Sequence, residues 1–293
     1  MISGTDRIDL HMHTTVSDGT DTPEELLAFV REAKLGLFSV TDHDAVKGCR
    51  ELLKADDIPH FITGVEFSCK DGCGNYHILG YGYDPDAAPI NDAVSKGHEL
   101  RSDKLKKRLG FLSRQFGFTF RDEDVQKLFS LYNPGKPHIA GMMVKYGYAE
   151  TIDQAISGYL NKLRTGNEHI SPEEAIEAIR LSGGVPVLAH PSYGRGDELI
   201  LGDDMDRRLR RLTGLGLEGV EAFYSGFTLK LQNELLGFAE KYSLYVTAGS
   251  DYHGKNKLVR PGDTNLTPPD EYPEGLTRFL DRVGWDNNTG GNI

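Results

Sequence analysis

The sequence predicts an α/β barrel that carries an inserted helical subdomain. Two observations lead there. Short apolar runs alternate with amphipathic segments through both ends of the 293-residue chain, the mark of repeated βαβ units. Between about residues 90 and 166 the alternation stops and the pattern turns almost wholly helical. The expected division is therefore a discontinuous barrel, residues 1–90 and 167–293, around an insert of residues 91–166.

The elements follow in order. Ile8–Met12 reads as a short strand. Thr22-Pro23-Glu24-Glu25 opens a helix to about Gly36: Thr22 caps it, Pro23 suits its first turn and Glu25 completes a capping box. Leu37–Thr41 is a second strand, and a short helix over about Val46–Lys54 comes next. Phe61–Ser68 and Tyr76–Tyr83 are strands separated only by a Gly/Cys/Asp turn. After the insert, Ser171-Pro172-Glu173-Glu174 forms another capping box and starts a helix to Ser182. Strand Val185–Ala189, a helix near Asp204–Leu215, strand Gly219–Tyr224, a helix near Leu229–Tyr242 and strand Tyr245–Gly249 continue the alternation. A last helix, near Glu274–Val283, precedes a Gly/Asn tail.

Composition narrows the function. A net charge of −11 argues against a protein that coats nucleic acid. The apolar fraction of 38% is too high for a disordered chain. No apolar run approaches the roughly 20 residues that span a bilayer, and MISGTDRIDL lacks the features of a signal peptide. Cys49, Cys69 and Cys73 are an odd set, which fits a reducing cytoplasm. Cys69 and Cys73 have no second Cys/His pair to complete a zinc site, and the sequon at Asn287 carries no weight in a cytosolic protein. In the insert, Lys96, Arg101, Lys104, Lys106, Lys107 and Arg108 share one helix. They are read as a solvated face, the alternative being attraction of a polyanionic substrate.

Six of the ten histidines fall at or beyond strand ends, with carboxylates beside them. His11 and His13 end the first strand, and Asp18 lies in the turn after it. Asp42, His43 and Asp44 end the second. Glu66 lies on the third, His77 on the fourth, His190 ends the fifth, and Asp251 and His253 follow the seventh. In a parallel barrel the strand C-termini converge on one face. Residues i and i+2 of a strand point the same way, so His11 and His13 reach a common centre. Gathering these groups without metal would cost several kcal/mol in desolvation and repulsion. Imidazoles with carboxylates make a site for Zn, Mn or Fe rather than Mg alone. His60, His98 and His169 lack such a setting and are read as surface or satisfied histidines.

The segments DLHMHTTVSDG, TDHDAVKG, GVEFS, YHILGYG, LAHP and GSDYHG resemble, in order and spacing, the motifs of the polymerase-and-histidinol-phosphatase (PHP) family of metal-dependent phosphoesterases. The resemblance covers about Asp9–Lys96 and Pro172–His253. It implies a distorted (β/α)7, TIM-like barrel and, from the insert, the branch acting on nucleotides and related small phosphates. It also implies two to three divalent transition-metal ions. His11, His13, Glu66 and Asp251 would hold the first; Glu66 would bridge to a second, with His77 and His190; Asp18, His43 and His253 would hold the third. Asp18 stands where the family often has histidine, which suggests a harder metal such as Mn or Fe there. Glu66, Asp251 and His190 are the residues expected to carry catalysis, with Asp42 and Asp44 orienting His43.

The mechanism implied is attack on phosphorus by hydroxide generated from metal-bound water; no G-x-S-x-G nucleophile motif is present. Lys136-Pro137-His138-Ile139-Ala140 resembles an RPHIA-like segment of this branch, which makes Lys136 and His138 candidate substrate contacts; a plain helix start is the other reading. Arg195 is a third candidate for reaching a phosphate, and Arg164 a weaker one. The expected partner is a small phosphorylated substrate: a nucleotide, nucleoside bisphosphate or cyclic sugar phosphate. Trimming of short RNA is the rival within enzymes. A non-catalytic metal-binding module and C–N hydrolysis are more distant rivals.

Overall fold

A computed structural model describes residues 7–163, 169–194, 198–266 and 272–284. Seven strands follow one another in a single sheet in chain order. They are β1 (Arg7–Asp9), β2 (Leu35–Val40), β3 (Phe61–Lys70), β4 (Asn75–Tyr81), β5 (Val185–Leu188), β6 (Gly219–Tyr224) and β7 (Tyr245–Gly249). The chain running on from β1 meets β7 and its continuation: Leu10 N–H donates to the Ala248 carbonyl at 2.9 Å, and Met12 bridges to Tyr252. This is the distorted seven-stranded barrel expected.

One expectation needs correction: the barrel is not all parallel. β4 runs antiparallel to both β3 and β5, whereas the other neighbouring pairs are parallel. The cause is the turn at 71–74. It is closed by Asp71 N–H on the Gly74 carbonyl and by the Asp71 carboxylate on the amides of Cys73 and Gly74. Four residues can make a hairpin but not the crossover a parallel pair needs. The reversal has a functional consequence. His77 lies near the start of β4, and the reversed direction brings that start to the mouth where the parallel strands end.

The barrel helices form where their caps are. In α1 (Pro23–Glu32) and α7 (Pro172–Leu181) both capping boxes are present, with Pro in the first turn. Each buries one apolar stripe, Leu26, Leu27 and Val30 in the first, Ala175, Ile176 and Ile179 in the second. The other barrel helices are α2 (Lys47–Leu52), α8 (Gly202–Gly214), α9 (Leu229–Lys241) and α10 (Glu274–Arg282).

The insert comprises α3 (Ala88–Phe116), α4 (Asp122–Ser130), α5 (Lys136–Lys145) and α6 (Ile152–Gly158). The first of these belongs to two cores. Ile90 and Val94 pack into the barrel cluster, while Leu105 and Leu112 join Leu128, Ile139 and Met143 in a separate one. Its cations divide likewise. Lys96, Lys106 and Lys107 are exposed, as a solvated face requires, but Arg101 and Lys104 are half-buried and Arg108 is buried. No helix among the described residues is long and apolar enough to cross a membrane. The three cysteines are free, Cys49 and Cys69 buried and Cys73 exposed.

Candidate functional site

The strand-end residues meet at one mouth of the barrel, around the carboxylate of Glu66. One of its oxygens, Oε1, lies 2.8 Å from His77 Nδ1 and 3.1 Å from His190 Nε2. The other, Oε2, lies 3.0 Å from His43 Nδ1, 3.3 Å from His13 Nε2 and 3.4 Å from His11 Nε2. Asp251 Oδ1 faces the same pair, 3.5 Å from His11 Nε2 and 3.3 Å from His13 Nε2. Asp18 closes the far side, 3.3 Å from His253 Nε2 and 3.8 Å from His43 Nε2. All nine strand-end candidates are thus brought together.

At the centre, the 3.3–3.5 Å from His11 and His13 to Glu66 and Asp251 is too wide for good hydrogen bonds. Nitrogen and oxygen sharing a proton sit about 2.7–3.2 Å apart, whereas the edge of a tetrahedron built on ~2.1 Å metal–ligand bonds is about 3.4 Å. Buried polar atoms without a hydrogen-bond partner include His11 Nε2, His13 Nε2, Asp18 Oδ1, His43 Nδ1 and Glu66 Oε2. Such atoms cost free energy unless something pairs them. Three groups have ligand atoms all within 4.8 Å of one another: His13/Asp18/His43/His253, His11/His13/Glu66 and His43/Glu66/His77. The donor set fits divalent transition metals. No cysteine joins a candidate metal group among the described residues.

The electrostatics agree. Burial pulls His11 down, but the charges of Glu221, Glu66 and Asp251 outweigh it and hold the ring well above its usual range. Burial likewise opposes His13, which the neighbouring carboxylates of Asp251 and Glu66 raise to about 10. Burial lowers His43 to about 4, with the neighbouring carboxylates only partly compensating. Glu66 is pushed up by burial and drawn down further by His43, His77 and His11, so it stays ionised. Protons on His11 and His13 therefore compete with a cation for these two rings.

The surroundings orient the donors. Glu221 on β6 is fully buried; its Oε1 accepts from His11 Nδ1 at 2.9 Å and its Oε2 from the His190 backbone N–H at 2.7 Å. Asp251 Oδ2 is occupied by Lys257 Nζ at 2.6 Å and Tyr224 OH at 3.0 Å, which leaves Oδ1 for the centre. His190, Asp251 and Asp44 have φ of 25°, 57° and 49°, a left-handed backbone that non-glycine residues adopt only where surroundings enforce it. Gly249 allows the closure: a Cβ there would sit 2.2 Å from His11 Cβ and 2.5 Å from Glu221 Oε1.

Other sequence expectations fare differently. Asp42 and Asp44 do not bond the His43 ring. Asp42 accepts from Thr14 N–H and Oγ1 and from Ser17 Oγ, holding the loop that follows His13. Asp44 pairs with Arg101 of α3 and accepts from Ser68 N–H. Lys136 Nζ donates to Asn161 Oδ1 at 2.7 Å, and His138 Nδ1 accepts from Gly135 N–H at 3.0 Å at the start of α5. His169 accepts from Lys104. Arg195, Arg164 and Asn287 lie outside the described residues. Sequence reasoning missed Glu221, Tyr224, Lys257 and Asn133, whose side chain donates to the His43 carbonyl. For Glu221 a signal existed: a lone carboxylate in an otherwise apolar strand must find a partner.

A cleft of about 710 Å³ lies elsewhere, between α1 and the segment after β7, and none of the nine candidate ligands lines it.

Comparison with known proteins gives the lineage. The PHP domain model matches residues 9–180. The chain is 30% identical over 278 residues to a 3′,5′-nucleoside bisphosphate phosphatase of Chromobacterium violaceum, covering 89% of this chain and 93% of that one. It is 28% identical over 262 residues to a phosphoribosyl 1,2-cyclic phosphate 1,2-diphosphodiesterase of Eggerthella lenta, covering 84% and 94%. A 5′-3′ exoribonuclease of Salmonella typhimurium is 28% identical over 257 residues, covering 84% of each. Among solved structures, a Bifidobacterium adolescentis protein described as a metal-dependent phosphoesterase superposes with a TM-score of 0.78 at 30% identity, over 94% of this chain and 96% of that one. With the histidine–carboxylate mouth, the antiparallel fourth strand and this match over more than half its length, the chain belongs to the PHP domain family.

Proposed function

We propose that this metal-dependent phosphoesterase hydrolyses a small phosphorylated nucleotide or sugar, as a phosphatase or cyclic phosphodiesterase, with two to three Mn, Fe or Zn ions. His11, His13, Glu66 and Asp251 would hold the first ion. Glu66 would also serve a second with His77 and His190, and Asp18, His43 and His253 would hold a third. The observation carrying this is the spacing of His11 and His13 from Glu66 and Asp251, too long for hydrogen bonds and right for ligands of one ion.

When bound, the ions supply positive charge to the phosphoryl group and lower the pKa of water toward neutrality. The chain's own part is to hold them. Glu221 keeps the His11 ring turned so that Nε2 faces the centre, and Lys257 with Tyr224 turns Asp251 Oδ1 inward. In this reading the barrel mouth carries the site and the insert of residues 91–166 serves substrate binding. Lys136, His138 and Arg195 are the proposed substrate contacts. The three free cysteines suit a cytoplasmic setting.

The test is a substrate panel. Mn-loaded protein is given nucleotides, nucleoside bisphosphates, cyclic ribose phosphates and short RNA, and phosphate and products are assayed. Turnover of the small phosphates supports the reading. Processive shortening of RNA with the small phosphates inert would replace it with the exoribonuclease reading.

A further inference from the structure

Asn133 lies in the loop between α4 and α5. Leu131 and Tyr132 before it are exposed, whereas Asn133 is buried, with 3% of its surface exposed. Its Nδ2 donates to the His43 carbonyl. Its Oδ1 is buried with no hydrogen-bond partner among the described residues. An unpaired buried acceptor is unfavourable, so the amide does not sit there for its own stability. The bond it does make reaches the backbone of a candidate metal ligand.

That bond completes the hold on one peptide group. The His43–Asp44 peptide gives its N–H to the Glu66 carbonyl at 2.9 Å and takes the Asn133 amide on its carbonyl. β3 therefore fixes one edge of the peptide and the insert fixes the other. Asp44 has φ of 49°, a conformation that persists in a non-glycine residue only where its surroundings enforce it. Further ties between insert and barrel converge on this loop. The Asp44 carboxylate pairs with Arg101 of α3, and Tyr132 stands edge-on to His98 at 4.9 Å with Lys47 Nζ over its ring at 5.2 Å.

His43 belongs to two of the three candidate metal groups. Its Nδ1 lies 3.0 Å from Glu66 Oε2 and its Nε2 3.8 Å from Asp18 Oδ2. Rotation of the peptide behind it would carry the ring toward one group and away from the other. We propose that Asn133 is a positioning residue: from the insert it holds the His43 peptide, and thereby sets the ring for the ion shared with Asp18 and His253. The insert then completes the metal site. This rests on the metal-dependent reading above.

The test is a double-mutant cycle read by metal uptake, without substrate. Mn2+ binding is measured by equilibrium dialysis of chelator-stripped wild type, Asn133→Ala, His43→Ala and the double variant. Asn133→Ala is expected to weaken the most loosely held ion by about tenfold, as loss of an indirect support does. Added to His43→Ala, it should change uptake by less than about twofold, since the residue it acts through is gone. No weakening by Asn133→Ala alone, or the same further loss when His43 is absent, overturns the proposal. Asn133→Leu, branched like asparagine but without the donor, fills the space that alanine leaves and should weaken the ion equally; wild-type affinity in it also overturns the proposal. Wild type that takes up no Mn2+ removes the metal reading and the proposal together, whereas equal uptake by wild type and both Asn133 variants removes the proposal alone.

Discussion

Glu221 Oε1 accepts a hydrogen bond from His11 Nδ1 at 2.9 Å, at the bottom of the barrel mouth where both side chains are fully buried. The same carboxylate accepts from the His190 backbone N–H at 2.7 Å. One residue of β6 therefore fixes two of the donors around Glu66. A carboxylate behind a ligating histidine sets its tautomer and ring orientation, and losing it typically costs 10–100-fold in metal affinity or activity. Glu221→Gln keeps the size but turns an NH2 group toward one of two N–H donors. Its metal affinity, measured by competition with a chelator, is expected to fall by about 10–100-fold. Unchanged affinity would remove Glu221 from the orienting role.

Glu66 and Asp42 are both buried acids near the centre, and they should separate sharply. Glu66 faces five imidazoles, whereas the Asp42 carboxylate accepts from Thr14 and Ser17. Glu66→Gln is expected to remove both metal and activity. Asp42→Asn should keep most of the metal and lose roughly 10–100-fold in kcat/KM, as loss of an indirect support does. Similar metal contents in the two variants would contradict this.

Protons and metal compete for the same atoms. His11 is held well above its usual range and His13 is raised to about 10, so both rings are protonated near pH 7 without metal. Ligation requires neutral imidazole, so metal binding must release protons. Calorimetric titration at pH 7 in buffers of different ionisation enthalpy should show that release, and affinity should rise as pH increases toward 10. The stability sign follows. A histidine raised in the folded state stabilises fully below its unfolded value of 6.5, and that contribution is lost as pH rises through about 10. Chelator-stripped protein should therefore lose this stabilisation between about pH 6.5 and 10. Heats independent of buffer would rule out protonated rings.

The Lys136 and His138 pair gives a fourth test. His138 caps the start of α5 through Gly135 N–H, so His138→Ala should lower stability by about 1 kcal/mol, as loss of a cap does. The double alanine variant should retain metal and show a raised KM on the natural substrate, with p-nitrophenyl phosphate less affected. Binding lost from a remote part of a substrate appears mainly in KM. Equal losses on both substrates would leave α5 with only its capping role.

Much of this site was legible because strand ends are punctuated. His11, His13, His43 and His190 each close an apolar run, and β6 and β7 have the bounds that alternation and turn residues suggest. The capping boxes at Thr22 and Ser171 formed as written, since they are local and depend on no tertiary partner. What the sequence hid was long-range. Nothing local tells that β4 runs backwards; the short 71–74 turn implies it only once the two strands are known to pair. Lys257 and Asn133 act through contacts with Asp251 and the His43 carbonyl that no periodicity encodes. The cations of α3 look like one solvated stripe, yet Arg101, Lys104 and Arg108 are partly or wholly buried, and Arg101 pairs with Asp44.

The central claim is that these histidines and carboxylates hold metal that the reaction needs. Elemental analysis of protein purified without chelator, after Mn or Zn supplementation, tests it most directly when phosphoester turnover is followed in the same samples. The expected result is two to three metal equivalents per chain, lost together with activity on chelation and regained on readdition. Less than one equivalent, with turnover that survives the chelator, would contradict it.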